Sequence, residues 1–369
     1  MTDRFHVLHV SQPTSAGVAV CVRDLATHQR HAGHRVTVAC PSDGELGDWC
    51  RADDVDVRTW QAGRSPGPAL AAEVRSLAAI IEATDPDVVH LHSSKAGLAG
   101  RLAVRGRRPT IVHPNAWSFL PPGPQQRPAR LWERFGARWT DLFLMAGDDE
   151  LAMATEARIA GTFTVIPNGV DVDAFTPATR ADQVRARAEL DLADAPTAVC
   201  VGRLCEQKGQ DLLLEAWAEV LEQVPEARLV LVGDGELASE LRAVAGASVH
   251  FAGRRSDVWR WYAAADVAVQ ASRWEGLSFA TLEALSSGRP VVAFDAPGMR
   301  QAIGDAGTVV PTGNVGALGR ALVGHLRDLD RCAAQGALGA GRVRAHFDRA
   351  VLSSAVTTAT AALLQRRSQ

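Results

Sequence analysis

Lysine is nearly absent from this 369-residue chain: Lys95 and Lys208 are the only two among 39 basic residues, and the rest are arginine. So skewed a choice directs attention to what surrounds the two lysines. Long apolar runs are missing as well, and no stretch approaches the roughly 18 residues that a membrane-crossing helix needs. The N-terminus runs straight into an apolar strand pattern at residues 5–10, with no signal-peptide layout. The six cysteines, at 21, 40, 50, 200, 205 and 332, form no CxxC pair and no cysteine/histidine group at metal-ligand spacing. Reduced core thiols in a cytoplasmic protein are therefore expected, with no disulfide framework, cofactor or bound metal. An excess of positive charge is lacking too. The formal net charge of −3 argues against nucleic acid as a partner.

What the chain does contain is alternation. Short apolar runs at 5–10, 35–39, 87–92, 110–113, 142–145 and 164–166 read as strands. Helical patterns fill 17–32, 70–83 and 95–105 between them. A turn at Pro167-Asn168-Gly169-Val170-Asp171 precedes a polar stretch, read as linker plus a short helix, that extends to about Ala195. The alternation then restarts. Strands are expected at 197–201, 228–232, 249–251, 267–270 and 290–293, with helices at 209–224, 236–244, 258–264 and 279–287. Such βα alternation predicts parallel sheets covered by helices on both faces. The expected fold is α/β, with two Rossmann-like doubly wound domains facing across a cleft, residues 1–180 and 195–345. An Ala-rich helix in 346–369 is expected to pack back on the first domain.

The densest chemistry lies in residues 272–292. Glu275 precedes Gly276 in a loop, and Glu283 follows eight residues later inside a helix. Carboxylates accept hydrogen bonds from sugar hydroxyls, and free amides at a helix N-terminus receive phosphate oxygens. Strand 197–201 runs into Gly202-Arg203 and then Lys208-Gly209. That places a planar guanidinium and a point-charge ammonium where a diphosphate could be clamped. Gly233-Asp234-Gly235 follows the next strand, but a complete GxGxxG is missing, so a nicotinamide site is not expected. The loop at Gly253-Arg254-Arg255 either lines a nucleobase or is simply a turn.

In order along the chain, these motifs resemble the retaining, GT-B-fold glycosyltransferases of family 4. The turn at 167–171 resembles that family's interdomain turn, and residues 11–18 and 89–97 resemble its first-half motifs. The resemblance implies roles. Glu275 would hold hydroxyls of the donor sugar and Glu283 the ribose hydroxyls. Arg203 and Lys208 would stabilise the departing diphosphate, and the amides of Gly276, Leu277, Ser278 and Phe279 would add the helix dipole. Gly17, Gly202, Gly235 and Arg254 would complete the donor site. No metal is implied, and no DxD occurs; the acidic run Asp148-Asp149-Glu150 is expected to cap a helix.

The first half departs from the family pattern at two places. Ala16 stands where a glycine is usual, although an alanine adopts φ > 0 only at a cost. Asn115 stands where a histidine is usual, with His113 two residues upstream and, by strand periodicity, on the same face. Both are expected at the reacting centre. His92, Lys95 and Trp117 are expected to meet the acceptor; the other reading of 90–95 is a polar strand end with a serine cap. Between 95 and 140 nine basic residues face one acid, Glu133. Arg127, Arg130, Arg134 and Arg138 form one helical stripe, and Leu131, Trp132, Phe135 and Trp139 the adjacent one. That pattern fits either a core-facing helix or a peripheral membrane face spanning 119–139.

The expected function is metal-independent transfer from a nucleotide sugar, UDP-linked by expectation, to a glycan, lipid-linked or small-molecule acceptor. The location would be the cytoplasm, including the inner face of the plasma membrane. A catalytically impaired sugar-nucleotide-binding protein and a GT-B epimerase are the alternatives.

Overall fold

The computed structural model describes residues 4–367. Residues 1–3 and 368–369, at the outer ends of the first expected domain and the last expected helix, lie outside it. The chain divides into two units, Met1–Gly169 with Arg349–Gln369, and Val170–Asp348.

The first unit is built on seven strands: β1 (His6–Ser11), β2 (Arg35–Cys40), β3 (Asp56–Thr59), β4 (Val88–His92), β5 (Thr110–His113), β6 (Leu142–Met145) and β7 (Phe163–Val165). They form one parallel sheet in the order β3-β2-β1-β4-β5-β6-β7. Six helices connect them: α1 (Ala16–His31), α2 (Leu46–Ala52), α3 (Leu70–Thr84), α4 (Ser93–Val104), α5 (Gln126–Gly136) and α6 (Asp148–Glu156). Strands β1, β4, β5 and β6 are buried along their whole length. Burial on both faces explains why they read as apolar runs rather than as alternation. Strand β3 carries no such signal. It is an edge strand of sequence Asp-Val-Arg-Thr with three of four residues exposed, so neither it nor α2 is evident in the sequence.

Helix α1 begins on Ala16, whose φ is +60°, in the left-handed region. A Cβ is unfavourable there by roughly 1–2 kcal/mol. Ala16→Gly should therefore raise stability by about 0.5–1 kcal/mol, the relief of strain being partly offset by the flexibility of glycine in the unfolded chain. Urea unfolding checks this, and a fall in stability would show that the turn is not strained.

The second unit repeats the architecture with β8 (Thr197–Val201), β9 (Arg228–Val232), β10 (Val249–Gly253), β11 (Val267–Gln270), β12 (Val291–Phe294) and β13 (Gly307–Val310), all parallel, in the order β10-β9-β8-β11-β12-β13. Its helices are α7 (Arg180–Glu189), α8 (Gln210–Gln223), α9 (Ala238–Val244), α10 (Val258–Ala264), α11 (Phe279–Ser286), α12 (Met299–Ile303), α13 (Val315–Leu326) and α14 (Leu329–His346). Strand β13 and helices α13 and α14 are unassigned by the sequence reading, because glycine and alanine dilute their apolar periodicity. The small residues serve close packing: a Cβ on Gly336 of α14 would lie 2.0 Å from the Gly288 carbonyl oxygen. Helix α15 (Arg349–Arg367) belongs to the first unit, where it packs on α1 and Arg349 donates to Asp24 at 2.9 Å.

Strand order reverses between β1 and β4 in one unit and between β8 and β11 in the other. In open α/β sheets, loops at the carboxyl ends of the strands on either side of such a reversal diverge and leave room for a ligand.

Candidate active site

At the reversal in the second unit, the loop after β8 and the loop after β11 are stitched together by backbone. The Arg273 amide donates to the Gln207 carbonyl at 2.8 Å, and Gln207 Nε2 donates to the Trp274 carbonyl at 3.1 Å. Gly209 makes this approach possible. Its φ is +65°, and a Cβ there would lie 2.0 Å from the Ala271 carbonyl oxygen. Arg273 adds a bidentate pair with Asp211 across the same seam.

This stitching sets Lys208 against Glu275. The ammonium contacts Glu275 Oε1, which also accepts from Ser272 Oγ at 2.8 Å. Glu275 is buried at 7% exposure. Glu283 lies in the second turn of α11 and is partly buried, with the Tyr262 hydroxyl 3.3 Å from its Oε2. Burial pushes the Glu283 carboxyl up to about 7; the Tyr262 hydroxyl and the Lys208 charge pull the other way. Lys208 thus touches one carboxylate and acts electrostatically on the other. Ser278 caps α11, its side chain accepting from the Thr281 amide, and Gly276 is half-buried just before it.

Arg203 is less constrained. Its nearest acid is Glu236 at 3.9 Å, and its side chain is 31% exposed, which leaves the guanidinium room to reorient. Gly202, at the end of β8, hydrogen-bonds through its amide to the Val232 carbonyl at 3.0 Å. Gly235 serves backbone packing, since a Cβ there would lie 2.3 Å from the Leu204 carbonyl oxygen. Arg254 is exposed just beyond β10.

The raised Glu283 carboxyl has a consequence for stability. Its folded pKa of about 7 lies above the reference value of 4.5, so between those values the folded chain holds a proton that the unfolded chain has lost. The contribution of Glu283 to stability therefore falls as pH rises through that window, by on the order of 1–3 kcal/mol, and stays low above it. Glu283→Gln should flatten this dependence when urea midpoints are compared at pH 5 and pH 8. An unchanged slope would mean that Glu283 titrates normally.

The first unit treats its expected acceptor residues differently. Lys95 is buried and ion-paired with Glu73 at 2.6 Å, and it also donates to the Ser65 carbonyl. Trp117 is a core residue at 2% exposure, its indole N–H donating to the Glu150 carbonyl at 2.8 Å. His92 is fully buried beside His9. These three side chains meet protein rather than the surface expected for them. The shared face expected for His113 and Asn115 also fails. Strand β5 ends at His113, and the chain turns sharply, with φ +52° at Asn115 and +109° at Ala116. The two-residue period has no meaning past that turn. His113 is buried at 3% exposure, while Asn115 is half-buried in the turn, its amide donating to the His113 carbonyl at 3.2 Å. Gly17 lies in the first turn of α1, and the left-handed position falls on Ala16 instead.

Glu150 is the residue that sequence reading missed. It does not merely cap α6: its carboxylate is buried and accepts from the Ala116 amide at 2.8 Å and the Ala146 amide at 2.7 Å. Burial pushes it up to about 7 against those two hydrogen bonds. It fixes the turn that carries Asn115.

Helix α5 presents Leu131 and Phe135 to solvent, at 63% and 44% exposure, alongside Arg127, Arg130 and Arg134, and Arg138 is exposed in the turn that follows. Its buried positions are Glu133 and Gly136. The core-facing reading of the aromatic stripe therefore fails for those two residues.

Residues 16–169 match the family model described as "Glycosyl transferase 4-like domain", and residues 195–328 match "Glycosyl transferases group 1". A GDP-mannose-dependent monoacylated alpha-(1-6)-phosphatidylinositol monomannoside mannosyltransferase of Corynebacterium glutamicum is 36% identical over 53% of this chain. A UDP-Gal:alpha-D-GlcNAc-diphosphoundecaprenol alpha-1,3-galactosyltransferase of Escherichia coli is 32% identical over 59% of it. These matches span 55% and 60% of the two relatives' own lengths. A GDP-mannose-dependent alpha-(1-6)-phosphatidylinositol monomannoside mannosyltransferase of Mycolicibacterium smegmatis is 30% identical over 83% of this chain and 85% of its own. In fold, the chain is similar to Anabaena HepE in complex with UDP and glucose, with a TM-score of 0.84 at 22% identity over 97% of this chain and 100% of that one.

Proposed function

The chain belongs to the family 4 glycosyltransferases of GT-B fold, and from that premise we propose that it moves a sugar, with retention, from a nucleoside-diphosphate sugar to a hydroxyl of a lipid-linked or other glycan acceptor. One observation carries the reading: Lys208 and Glu275 in contact in the loops after β8 and β11, with Glu283 under the influence of the same ammonium. Glu275 orients the donor sugar by accepting from its hydroxyls, and Glu283 accepts from the ribose. Lys208, with Arg203 free to swing in, offsets the charge that grows on the departing diphosphate. The leaving phosphate oxygen then takes the proton of the incoming hydroxyl, so no reacting-centre metal and no protein base is required.

The donor base is the open choice. UDP is the prior expectation, which no residue of the sequence dictates, and the mannosyltransferase relatives, by name, use GDP-mannose. A thermal-shift panel of UDP- and GDP-sugars separates them, because ligand binding to the folded state raises its stability by mass action. With donor and a polyprenyl-diphosphate or phosphatidylinositol glycan both present, nucleotide should be released, and added Mg²⁺ or Mn²⁺ should leave the rate unchanged. Donor binding without turnover on any acceptor would favour an impaired binding protein. An altered nucleotide sugar formed without acceptor would favour an epimerase.

Helix α5 supports a peripheral contact with an anionic membrane surface, where a lipid-linked acceptor would reside. Exposed Leu131 and Phe135 would enter the interface while the flanking arginines meet headgroups. The protein should sediment with phosphatidylglycerol vesicles and lose binding when Leu131→Ser and Phe135→Ser are combined. Equal binding to neutral vesicles would argue against this contact.

A further inference from the structure

Beneath the strand-order reversal of the first unit lies a group of buried side chains to which the proposed transfer gives no role. His9 on β1, His90 and His92 on β4, and His113 on β5 are four histidines on three adjacent strands. The parallel register pairs His9 with His90 and His92 with His113, so all four share one face of the sheet. His9, His90 and His92 are fully buried, and His113 is 3% exposed. In His9, His90 and His92 one ring nitrogen from each lies within 4.8 Å of the others. His92 and His113 form a second such group with Cys21 of α1.

Buried polar atoms are normally hydrogen-bonded, and here they are not. Both ring nitrogens of His90, both of His113 and Nδ1 of His92 have no hydrogen-bond partner among the described residues. Five unpaired nitrogens in one buried cluster call for an occupant. One further contact resembles a metal site's outer support. His9 Nε2 lies 2.8 Å from Gln29 Oε1, a carbonyl that can only accept. The ring proton is thereby fixed on Nε2, and Nδ1 is left as a lone pair pointing at His92 Nε2, 3.0 Å away. An outer acceptor that fixes the tautomer of a ligating histidine is the usual companion of a metal site.

We propose that His9, His90 and His92 form a binding site for one divalent transition-metal ion of zinc type, with Cys21, whose thiol lies within 4.8 Å of a ring nitrogen of His92, as an anionic fourth ligand. Zinc–nitrogen bonds of about 2.0–2.1 Å in tetrahedral array put ligand nitrogens about 3.4 Å apart. The 3.0 Å His9–His92 spacing already approaches that separation, and the His90 ring nitrogen, within 4.8 Å of both, has to close by at most about 1.4 Å. A dication among three neutral rings needs a counter-charge, and Cys21 supplies it by releasing its thiol proton to solvent as the metal–sulfur bond forms. His92 moves its own proton from Nε2 to Nδ1, which fills that unpaired position. The ion would tie β1, β4 and α1 together behind the loop that carries Ala16 and Gly17, a structural role separate from the reaction.

Elemental analysis of untagged full-length protein, produced in zinc-supplemented medium and desalted, tests this directly. About one zinc per chain is expected, as in a structural site that survives purification. Production in cobalt should give the intense visible bands of tetrahedral Co²⁺ and a near-ultraviolet thiolate band. Cys21→Ser should remove the thiolate band and keep the visible ones. His90→Gln should lower retained metal at least about tenfold, whereas His28→Gln with His31→Gln, on the outer part of α1, should change nothing. If His90→Gln does not fold, the wild-type metal content and cobalt spectrum still decide. Wild-type protein retaining less than about a tenth of an equivalent, or only octahedral cobalt, would overturn the site.

Discussion

Lys208→Met is expected to lower the rate of sugar transfer by at least about 10²–10³-fold, the scale found when one preorganised donor to a developing negative charge is removed. The ammonium is not replaceable by a neighbour. It contacts Glu275 Oε1 from a loop held by the Gln207–Trp274 and Arg273–Gln207 hydrogen bonds, so no other cation is built into that position. Lys208→Arg should remain at least about tenfold impaired, because a planar fork cannot occupy a point-charge site of this size. Arg203→Ala should cost less, since that side chain is 31% exposed and comes no nearer than 3.9 Å to its nearest acid. The effect should appear in kcat more than in KM, because charge builds on the diphosphate only as the bond breaks. Thermal melting separates this from misfolding. Turnover within tenfold of wild type in Lys208→Met, with the fold intact, would sink the assignment.

The arrangement behind that prediction was legible because its parts are local. Gly202-Arg203 and Glu275-Gly276 lie in the loops after β8 and β11, and Lys208-Gly209 opens the helix that follows β8; a parallel sheet places such positions at one edge. The buried strands were legible for the same reason, as short apolar runs. What escaped depends on register or on packing between distant elements. The histidine cluster is assembled from residues 9, 90, 92 and 113 by strand pairing, so no spacing in the sequence announces it. Lys95 looked available because its partner, Glu73, lies on another helix, α3, that packs against its own. The His113–Asn115 expectation failed at a backbone turn, where Asn115 and Ala116 both adopt positive φ; periodicity holds only while the strand continues. Glu150 was read as a cap because its acidic neighbours suit one, and only the fold shows its carboxylate holding two amides from different loops.

Arg101→Met should destabilise the first unit by about 3–5 kcal/mol, the cost of leaving the other half of a buried ion pair uncompensated. Arg101 is fully buried, and its partner Glu133 is 2% exposed. Nη2 meets Glu133 Oε2 at 2.7 Å and Nε donates to the Gly97 carbonyl at 2.7 Å. The guanidinium lies 5.2 Å from the centre of the Trp132 ring. The pair fastens α5 to α4, and Glu133 Oε1 also accepts from Ser118 Oγ at 2.9 Å, so it steadies the segment that follows the Asn115 turn. Glu133 is the one acid between residues 95 and 140, and the fold commits it to this bond rather than to the surface. Desolvation makes such a pair a weak source of net stability, so replacing both partners should hurt less than replacing one. The double variant Arg101→Met with Glu133→Leu should recover at least half of the loss, a coupling that a double-mutant cycle of urea unfolding energies measures directly. A single-variant cost below about 1 kcal/mol, or a double variant as unstable as the sum of the two singles, would mean that the helices are held by their apolar contacts and the ion pair is incidental.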